Sequence, residues 1–203
     1  MLLSAVAGFG FGLSLIVAIG AQNAYVLRQG LRREHVLAVV IVCALSDAGL
    51  ILLGVAGLGA VLEALPWLLT TVRIVGAAFL IGYALLALRR AFAAHPIDAS
   101  AAGDTERLSR VVWTTVALTW LNPHVYLDTV LLLGAIAATH GDGRWFFGLG
   151  AICGSVVWFT VLGFGARFLR PVFSQSVSWR VLDAGIAVVM SSIAVSLLLG
   201  ISP

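Results

Sequence analysis

The sequence predicts an all-α membrane protein with about six transmembrane helices. The chain has 203 residues, of which 61% are hydrophobic and 10% charged, and its mean hydropathy is +1.09. A water-soluble core of this size cannot bury so much apolar surface, so lipid must cover most of it. No long polar stretch leaves room for a separate soluble domain. We therefore expect one transmembrane domain over residues 1–203.

Six apolar runs, separated by Arg, Gly, Pro and His, are each long enough to cross a bilayer. They lie near residues 2–27, 36–62, 67–88, 111–139, 145–169 and 181–201. The first run begins directly after Met1 and has no basic residue ahead of it. Because it continues for about 26 residues, it is too long for the apolar part of a cleaved signal peptide and is interpreted as a retained span.

Most of the arginines lie in or beside three alternate loops. These are Arg28, Arg32, Arg33, Arg89, Arg90, Arg107, Arg110, Arg167, Arg170 and Arg180. The positive-inside rule places such loops in the cytoplasm. A protein with six spans in the cell inner membrane then has both termini on the extracytoplasmic side. If the first run does not cross completely, the N-terminus lies inside instead. The arginines end apolar runs and form no continuous stripe, which argues against nucleic-acid binding.

The longest polar segment, about residues 91–110, divides the chain almost in half and is interpreted as a cytoplasmic linker. It would join a first repeat of three spans, about 1–90, to a second repeat, about 111–203. Residues 73–79, which open span 3, resemble residues 180–186, which open span 6. Because each unit has an odd number of spans, we expect two inverted three-helix repeats, as in many secondary transporters.

The first and fourth runs contain polar or helix-breaking residues near their centres. These are Gly20, Gln22, Asn23, Asn122, Pro123, His124 and Asp128. Pro123 removes a backbone donor, so the carbonyls around residue 119 need partners outside the normal helical pattern. Gly20 permits unwinding or a close approach of the backbone. We predict broken or kinked helices 1 and 4 at Gly20 and Pro123; the alternative is a packing kink satisfied by neighbouring Ser or Thr.

Asp47 and Asp128 lie near the middle of the second and fourth runs. A carboxylate at the bilayer centre costs about 2.5–3.5 kcal/mol on insertion scales, so each should face the bundle interior or a wet cavity. In a purely structural alternative, His124, one turn before Asp128, neutralises that charge. We favour a site that binds a cation, a cationic substrate or an exchanging proton. Gln22 and Asn23 either contact the substrate or bond helices together.

Three motifs carry a resemblance to a known family: Gly20–Leu27 followed by Gln29 and Gly30, then Cys43–Asp47, then Thr119–Asp128. At these positions the sequence resembles the LysE family of basic amino acid exporters, especially its lysine and arginine exporter branch. The resemblance extends over essentially the whole chain. Relatives usually have Pro at the position of Ala21, a difference that predicts a softer first break.

This resemblance implies a secondary transporter, not an enzyme, that exports L-lysine or L-arginine from the cytoplasm with the proton or membrane potential as its energy source. Asp47 and Asp128 match aspartates of the family motifs and are expected to be important for transport. From the polar residues themselves, and not from the resemblance, we expect recognition of the polar ends of the substrate by Asn122, His124, Gln22 and Asn23. We also place Pro123, between Asn122 and His124, in the binding site. We expect no cofactor and no metal, and a homo-oligomer in lipid is compatible with the sequence.

Two other classes of function are compatible with a helical membrane protein. Cys43 and Cys153 occupy corresponding spans of the two repeats, which suggests an intramembrane thiol–disulfide electron carrier. Neither cysteine belongs to a Cys-x-x-Cys or Pro-flanked motif, however, and buried single cysteines are usually inert. The third class is a non-transporting membrane scaffold, which would gain nothing from the cost of two intramembrane carboxylates.

Overall fold

The computed structural model describes residues 1–17, 20–59, 64–92, 106–174 and 176–199. Within these ranges the chain forms eight helices and no β-strand. The helices are α1 (Leu2–Ile16), α2 (Ala21–Arg32), α3 (Val36–Val55), α4 (Pro66–Phe92), α5 (Leu108–Trp120), α6 (Pro123–Ala138), α7 (Arg144–Gly165) and α8 (Ser176–Leu199). Short 3-10 turns at Gly141–Gly143 and Ala166–Leu169 adjoin the two ends of α7.

Four segments of the described residues are long and apolar enough to cross a membrane on their own: Val36–Val55, Thr70–Phe92, Gly141–Leu169 and Val177–Leu199. In two further cases, two consecutive helices are long and apolar enough only when they are counted as one span. The pair α1–α2 is bent by 84° and the pair α5–α6 by 57°. The total is therefore six if each bent pair is one span, which confirms the predicted all-helical membrane class. The inverted repeat stays a prediction.

The observed helices differ from the predicted runs mainly at their ends. The second run was expected to reach residue 62, but α3 ends at Val55, because Gly57 adopts a left-handed conformation (φ +89°) that stops the helix. Helix α4 continues past residue 88 and carries Arg89 and Arg90 in its last turn, where cations complement the helix dipole. Four predicted parts lie outside the described residues: 18 and 19 of the first run, 60–62, the linker from 93 to 105, and 200–203.

Glycines allow α1 and α7 to pack with their backbones in contact. A Cβ atom added to Gly8 would collide with the carbonyl of Phe147, and one added to Gly150 would collide with the carbonyl of Ala5. In lipid, helices associate through van der Waals contact and not through hydrophobic burial, so small residues at the interface are favoured. Helix α4 packs in the same extended manner along α8, and α3 contacts α5, α6 and α7.

The core lies inside the helix bundle, and apolar side chains also cover its outer surface. A buried cluster contains side chains from α2, α3, α4, α5, α7 and α8, among them Tyr25, Cys43 and Met190. On the outside, Leu45 and Trp113 are 68% and 72% exposed. A continuous apolar exterior of this kind is suited to lipid contact.

The glycine contact between α1 and α7 predicts that Gly150→Ala destabilises the protein. The added methyl group overpacks a backbone contact, which costs about 1–3 kcal/mol, so the midpoint of thermal unfolding in detergent should fall. Gly10→Ala is the matched control, because a Cβ atom at Gly10 meets nothing within 4 Å and alanine is the better helix former. Equal midpoints for the two variants would contradict the packing.

Candidate functional site

A cavity of about 500 Å³ lies between the two broken helix pairs. Its wall contains seven of the residues that the sequence identifies as polar or helix-breaking: Gly20, Gln22, Asn23, Asp47, Asn122, His124 and Asp128. Ser192 and Ser196 of α8 add two hydroxyl groups, and Leu15, Ile16 and Phe159 add apolar surface. The volume falls in the range typical of small-molecule sites. The structure therefore brings residues from both halves of the chain to one cavity.

The first helix break is held together by Asn23. Gly20 has an extended backbone and precedes the first residue of α2. The Asn23 Nδ2 atom donates a hydrogen bond of 2.7 Å to the carbonyl of Ile16, the last residue of α1. Its Oδ1 atom accepts one of 3.2 Å from Trp158 Nε1 in α7. Asn23 thus satisfies a carbonyl that the interrupted helix cannot, and it ties α2 to α1 and α7.

The second break is held together by Asn122 and Tyr126. Asn122 has an extended backbone, and its Oδ1 atom accepts a hydrogen bond of 3.2 Å from the His124 backbone N–H. Pro123 occupies the first helical position, where its missing N–H has no cost. The Tyr126 hydroxyl donates a 2.8 Å hydrogen bond to the carbonyl of Trp120, the last residue of α5. Because the helix is interrupted at Pro123, a carbonyl at the end of α5 needs another donor, and the Tyr126 hydroxyl is that donor.

Pro123 differs from the other predicted binding-site residues because it does not line the cavity. The sequence places it both in the helix break and in the binding site. In the structure Pro123 is buried and is not part of the cavity wall. Its position at the start of α6 gives it a role in ending α5 and directing the chain, whereas its neighbours Asn122 and His124 line the cavity.

The two aspartates of the cavity have different surroundings. Asp47 is buried in α3, and its Oδ2 atom accepts a hydrogen bond of 2.8 Å from Ser155 Oγ in α7. Asp128 is half-buried and lies in a π-helical turn, Tyr126–Leu132, a feature common at functional sites. Within the described ranges no hydrogen bond joins His124 to Asp128, and no arginine forms an ion pair with either aspartate. Both carboxylates therefore line the cavity without an arginine partner, and His124, the histidine nearest in sequence to Asp128, lines it as well.

One polar group of the cavity wall has unused hydrogen-bonding capacity. The Nε2 atom of Gln22 is buried, and among the described residues its polar neighbour is the Cys43 thiol, a weak acceptor, while no oxygen or nitrogen accepts from it. An unpaired buried donor is costly, so it favours any acceptor that enters the cavity. Gln22 lies in the first turn of α2, whose cap residue Gly20 provides no side-chain acceptor.

Sequence reasoning missed a buried ion cluster at the opposite end of α2. Arg28 and Arg90 were used only as indicators of topology, yet Asp183 Oδ1 accepts from Arg28 Nε at 3.1 Å and from Arg90 Nε at 3.3 Å. Arg28 and Asp183 are each only 5% exposed. The sequence did offer a sign of this cluster, because Asp183 is a carboxylate inside a predicted span, as Asp47 and Asp128 are.

The cysteines lie in different environments. Cys43 is buried in the core, Cys153 is exposed on α7, and both are free thiols. Neither of them is part of the cavity wall.

A bundle of membrane-spanning length with a polar cavity at two broken helices defines the class of helical membrane transport proteins. The chain belongs to the LysE family: the family model described as LysE type translocator matches residues 13–200. The family resemblance drawn from the three sequence motifs is thereby confirmed.

Relatives of this chain include three proteins that match it over nearly their whole length. A Mycobacterium tuberculosis protein with the name "Putative amino-acid transporter" is 51% identical over 186 residues, which is 92% of each chain. The "Lysine exporter LysE" of Corynebacterium efficiens is 39% identical over 96% of this chain and 97% of its own. The "Arginine exporter protein ArgO" of Salmonella enteritidis is 40% identical over 94% and 90%. No solved structure matches the chain.

The contact between Ser155 and Asp47 predicts that Ser155→Ala destabilises the protein. The variant leaves a buried carboxylate without its hydroxyl donor, which costs about 1–3 kcal/mol and should lower the midpoint of thermal unfolding. Ser196→Ala is the control, because that hydroxyl is half-buried and donates only to the carbonyl of Ile193. A Ser155→Ala midpoint equal to that of Ser196→Ala would show that the hydrogen bond does not support the site.

Proposed function

We propose that this protein is a secondary transporter that exports the basic amino acids L-lysine and L-arginine from the cytoplasm across the inner membrane. The observation that carries the proposal is a cavity whose described lining contains two carboxylates, Asp47 and Asp128, and neither arginine nor lysine. The names of the corynebacterial and Salmonella relatives support the choice of substrate.

The charges of the cavity fit a cationic amino acid. Lysine and arginine carry two positive groups and one carboxylate at neutral pH, for a net charge of +1. Two ionised aspartates would outweigh that charge by one, so a proton on one aspartate makes the occupied site neutral. Because an isolated charge is costly in a low-dielectric interior, such balance favours coupling of the substrate to a proton. Asp47 and Asp128 are the groups that would hold the substrate cation and that proton.

The α-carboxylate of the substrate needs hydrogen-bond donors, and the first turn of α2 provides them. Gln22 Nε2 is a buried donor without an oxygen or nitrogen acceptor among the described residues. It lies in the first turn of α2, and helix N-termini favour anions. Asn122 and His124 line the opposite break and would contact the remaining polar groups. Asn23 has a structural role in addition, because its amide already bonds Ile16 and Trp158.

Alternating access between two inverted repeats would move this site from one side to the other. In support, α3 packs against α7 and α4 against α8, which are spans 2 with 5 and 3 with 6. These pairings between equivalent spans are compatible with a twofold axis that relates the two repeats. The positive-inside rule then gives cytoplasmic arginine-rich loops and extracytoplasmic termini.

Replacement of either cavity aspartate is expected to reduce transport. In proteoliposome counterflow with labelled lysine or arginine, Asp47→Asn and Asp128→Asn should each lower the flux at least about tenfold, because one ion pair with a desolvated cation is lost. Asp142→Asn is the matched control, since Asp142 is exposed in the turn before α7. Wild-type flux in both cavity variants would remove the carboxylates from the mechanism, and equal competition by leucine would exclude a basic substrate.

The thiol-carrier alternative leads to a separate prediction about the cysteines. Because Cys43 is buried and Cys153 is exposed outside the cavity, the double variant Cys43→Ser, Cys153→Ser should retain transport within about twofold of the wild type. The measurement is the same counterflow assay under reducing and oxidising conditions. Loss of flux in a correctly folded double variant would favour the thiol carrier.

A further inference from the structure

We propose that Arg28, Asp183 and Arg90 form an ion-pair gate that closes the cavity at the arginine-rich end of the bundle. That end is formed by the segments around Arg28–His35, Arg89–Phe92 and Arg180–Asp183. When the gate opens, the ion pair between Arg28 and Asp183 breaks. Asp183 then stays paired with Arg90. The inference rests on the proposed function, because a transporter with alternating access needs one closed end in each state.

The first argument is a succession of three layers along α2. Gln22 and Asn23 line the cavity. Tyr25 and Val26 are buried in the core, and Arg28 forms the ion pair. From Asn23, the last cavity residue of α2, to Arg28 the helix rises by about 7.5 Å at 1.5 Å per residue. The layer between them contains the rings of Tyr25 and Tyr83, which pack edge-to-face, and the Tyr25 hydroxyl accepts a 3.0 Å hydrogen bond from Gln29 Nε2.

The same three layers recur on α8, which runs the other way. Asp183 belongs to the ion cluster, Ile186 and Met190 to the buried core, and Ser192 and Ser196 to the cavity wall. The order of cavity wall, core and ion cluster is therefore the same along α2 and along α8. The core layer and the ion cluster thus lie between the cavity and the arginine-rich end.

The second argument is that the two ion pairs connect different groups of helices. Arg90 on α4 and Asp183 on α8 belong to helices that pack along each other, so this pair lies within one group. Arg28 belongs to α2, which packs on α7: a Cβ atom added to Gly30 would collide with the carbonyl of Gly163. The pair of Arg28 with Asp183 therefore joins the two groups, and it must break if they separate.

The third argument is that Arg90 has spare hydrogen-bonding capacity. Its Nε donates to Asp183, and its guanidinium lies 5.4 Å from the centre of the Tyr83 ring. Its Nη2 atom is buried and has no hydrogen-bond partner among the described residues. An arginine can hold a carboxylate with two parallel hydrogen bonds. When Arg28 leaves, the free Nη2 of Arg90 allows this two-pronged contact with Asp183, so the buried carboxylate stays paired.

The test measures access to the cavity without measuring transport. In a Cys43→Ser, Cys153→Ser background, Ser196→Cys places one thiol in the cavity wall. A charged, membrane-impermeant methanethiosulfonate reagent is applied to vesicles from the arginine-rich side, which is identified with a separate reporter, Arg107→Cys. We expect slow labelling with the wild-type gate and labelling at least about tenfold faster with Arg28→Gln, because the open state gains population. Labelling after solubilisation in detergent gives the full signal, and a single symmetric gel-filtration peak with an unchanged unfolding midpoint shows that each variant is folded.

Three further variants separate a gate from a simple structural contact. Arg28→Lys keeps the charge and should restore slow labelling, and Arg90→Gln should stay slow because Arg28 still holds Asp183. Arg32→Gln is the matched control, since Arg32 pairs with Glu34 on the surface at the same end of α2. Slow labelling of Arg28→Gln, or equally fast labelling of Arg28→Gln and Arg90→Gln, would overturn the proposal. Because no substrate is present, failure of the gate and failure of the proposed export are distinguishable.

Discussion

Backbone polar groups inside a bilayer need partners from the protein, because lipid offers none, and this constraint shapes the whole site. Both broken helices end at a carbonyl that the next turn cannot reach. Asn23 bonds the carbonyl of Ile16 at one break, and Tyr126 bonds that of Trp120 at the other. The polar side chains near the breaks are therefore needed for the fold before they are available for any ligand.

This requirement divides the cavity residues into two sets. Asn23 has both ends of its amide engaged, and Asn122 uses its Oδ1 atom as a helix cap, so each holds a break in place. Gln22 has a donor to spare, and neither Asp47 nor Asp128 forms an ion pair with an arginine among the described residues. These groups, with the His124 side chain beside Asp128, are the ones available to the proposed substrate, which carries one carboxylate and two cationic groups.

The sequence was sufficient to predict the membrane class, the two broken spans and most of the polar lining of the cavity. These features depend on local properties: hydropathy over about 20 residues, the missing donor of Pro123, and the cost of an intramembrane carboxylate. It was not sufficient for contacts between distant segments. Arg28 and Asp183 are far apart in the chain, and an arginine near a span end indicates topology equally well whether it faces water or a buried carboxylate.

The energetics of the ion cluster explain why a second arginine is useful. Removing one partner of a buried ion pair costs about 3–5 kcal/mol, because the other charge is left unpaired. A transporter whose two states differ by that much would occupy the open one less than about 1% of the time. With Arg90 beside Asp183, the departure of Arg28 leaves no bare carboxylate, and Arg28 itself moves toward the water of the arginine-rich end. The cost of opening is then small enough for substrate binding in the cavity to shift the balance.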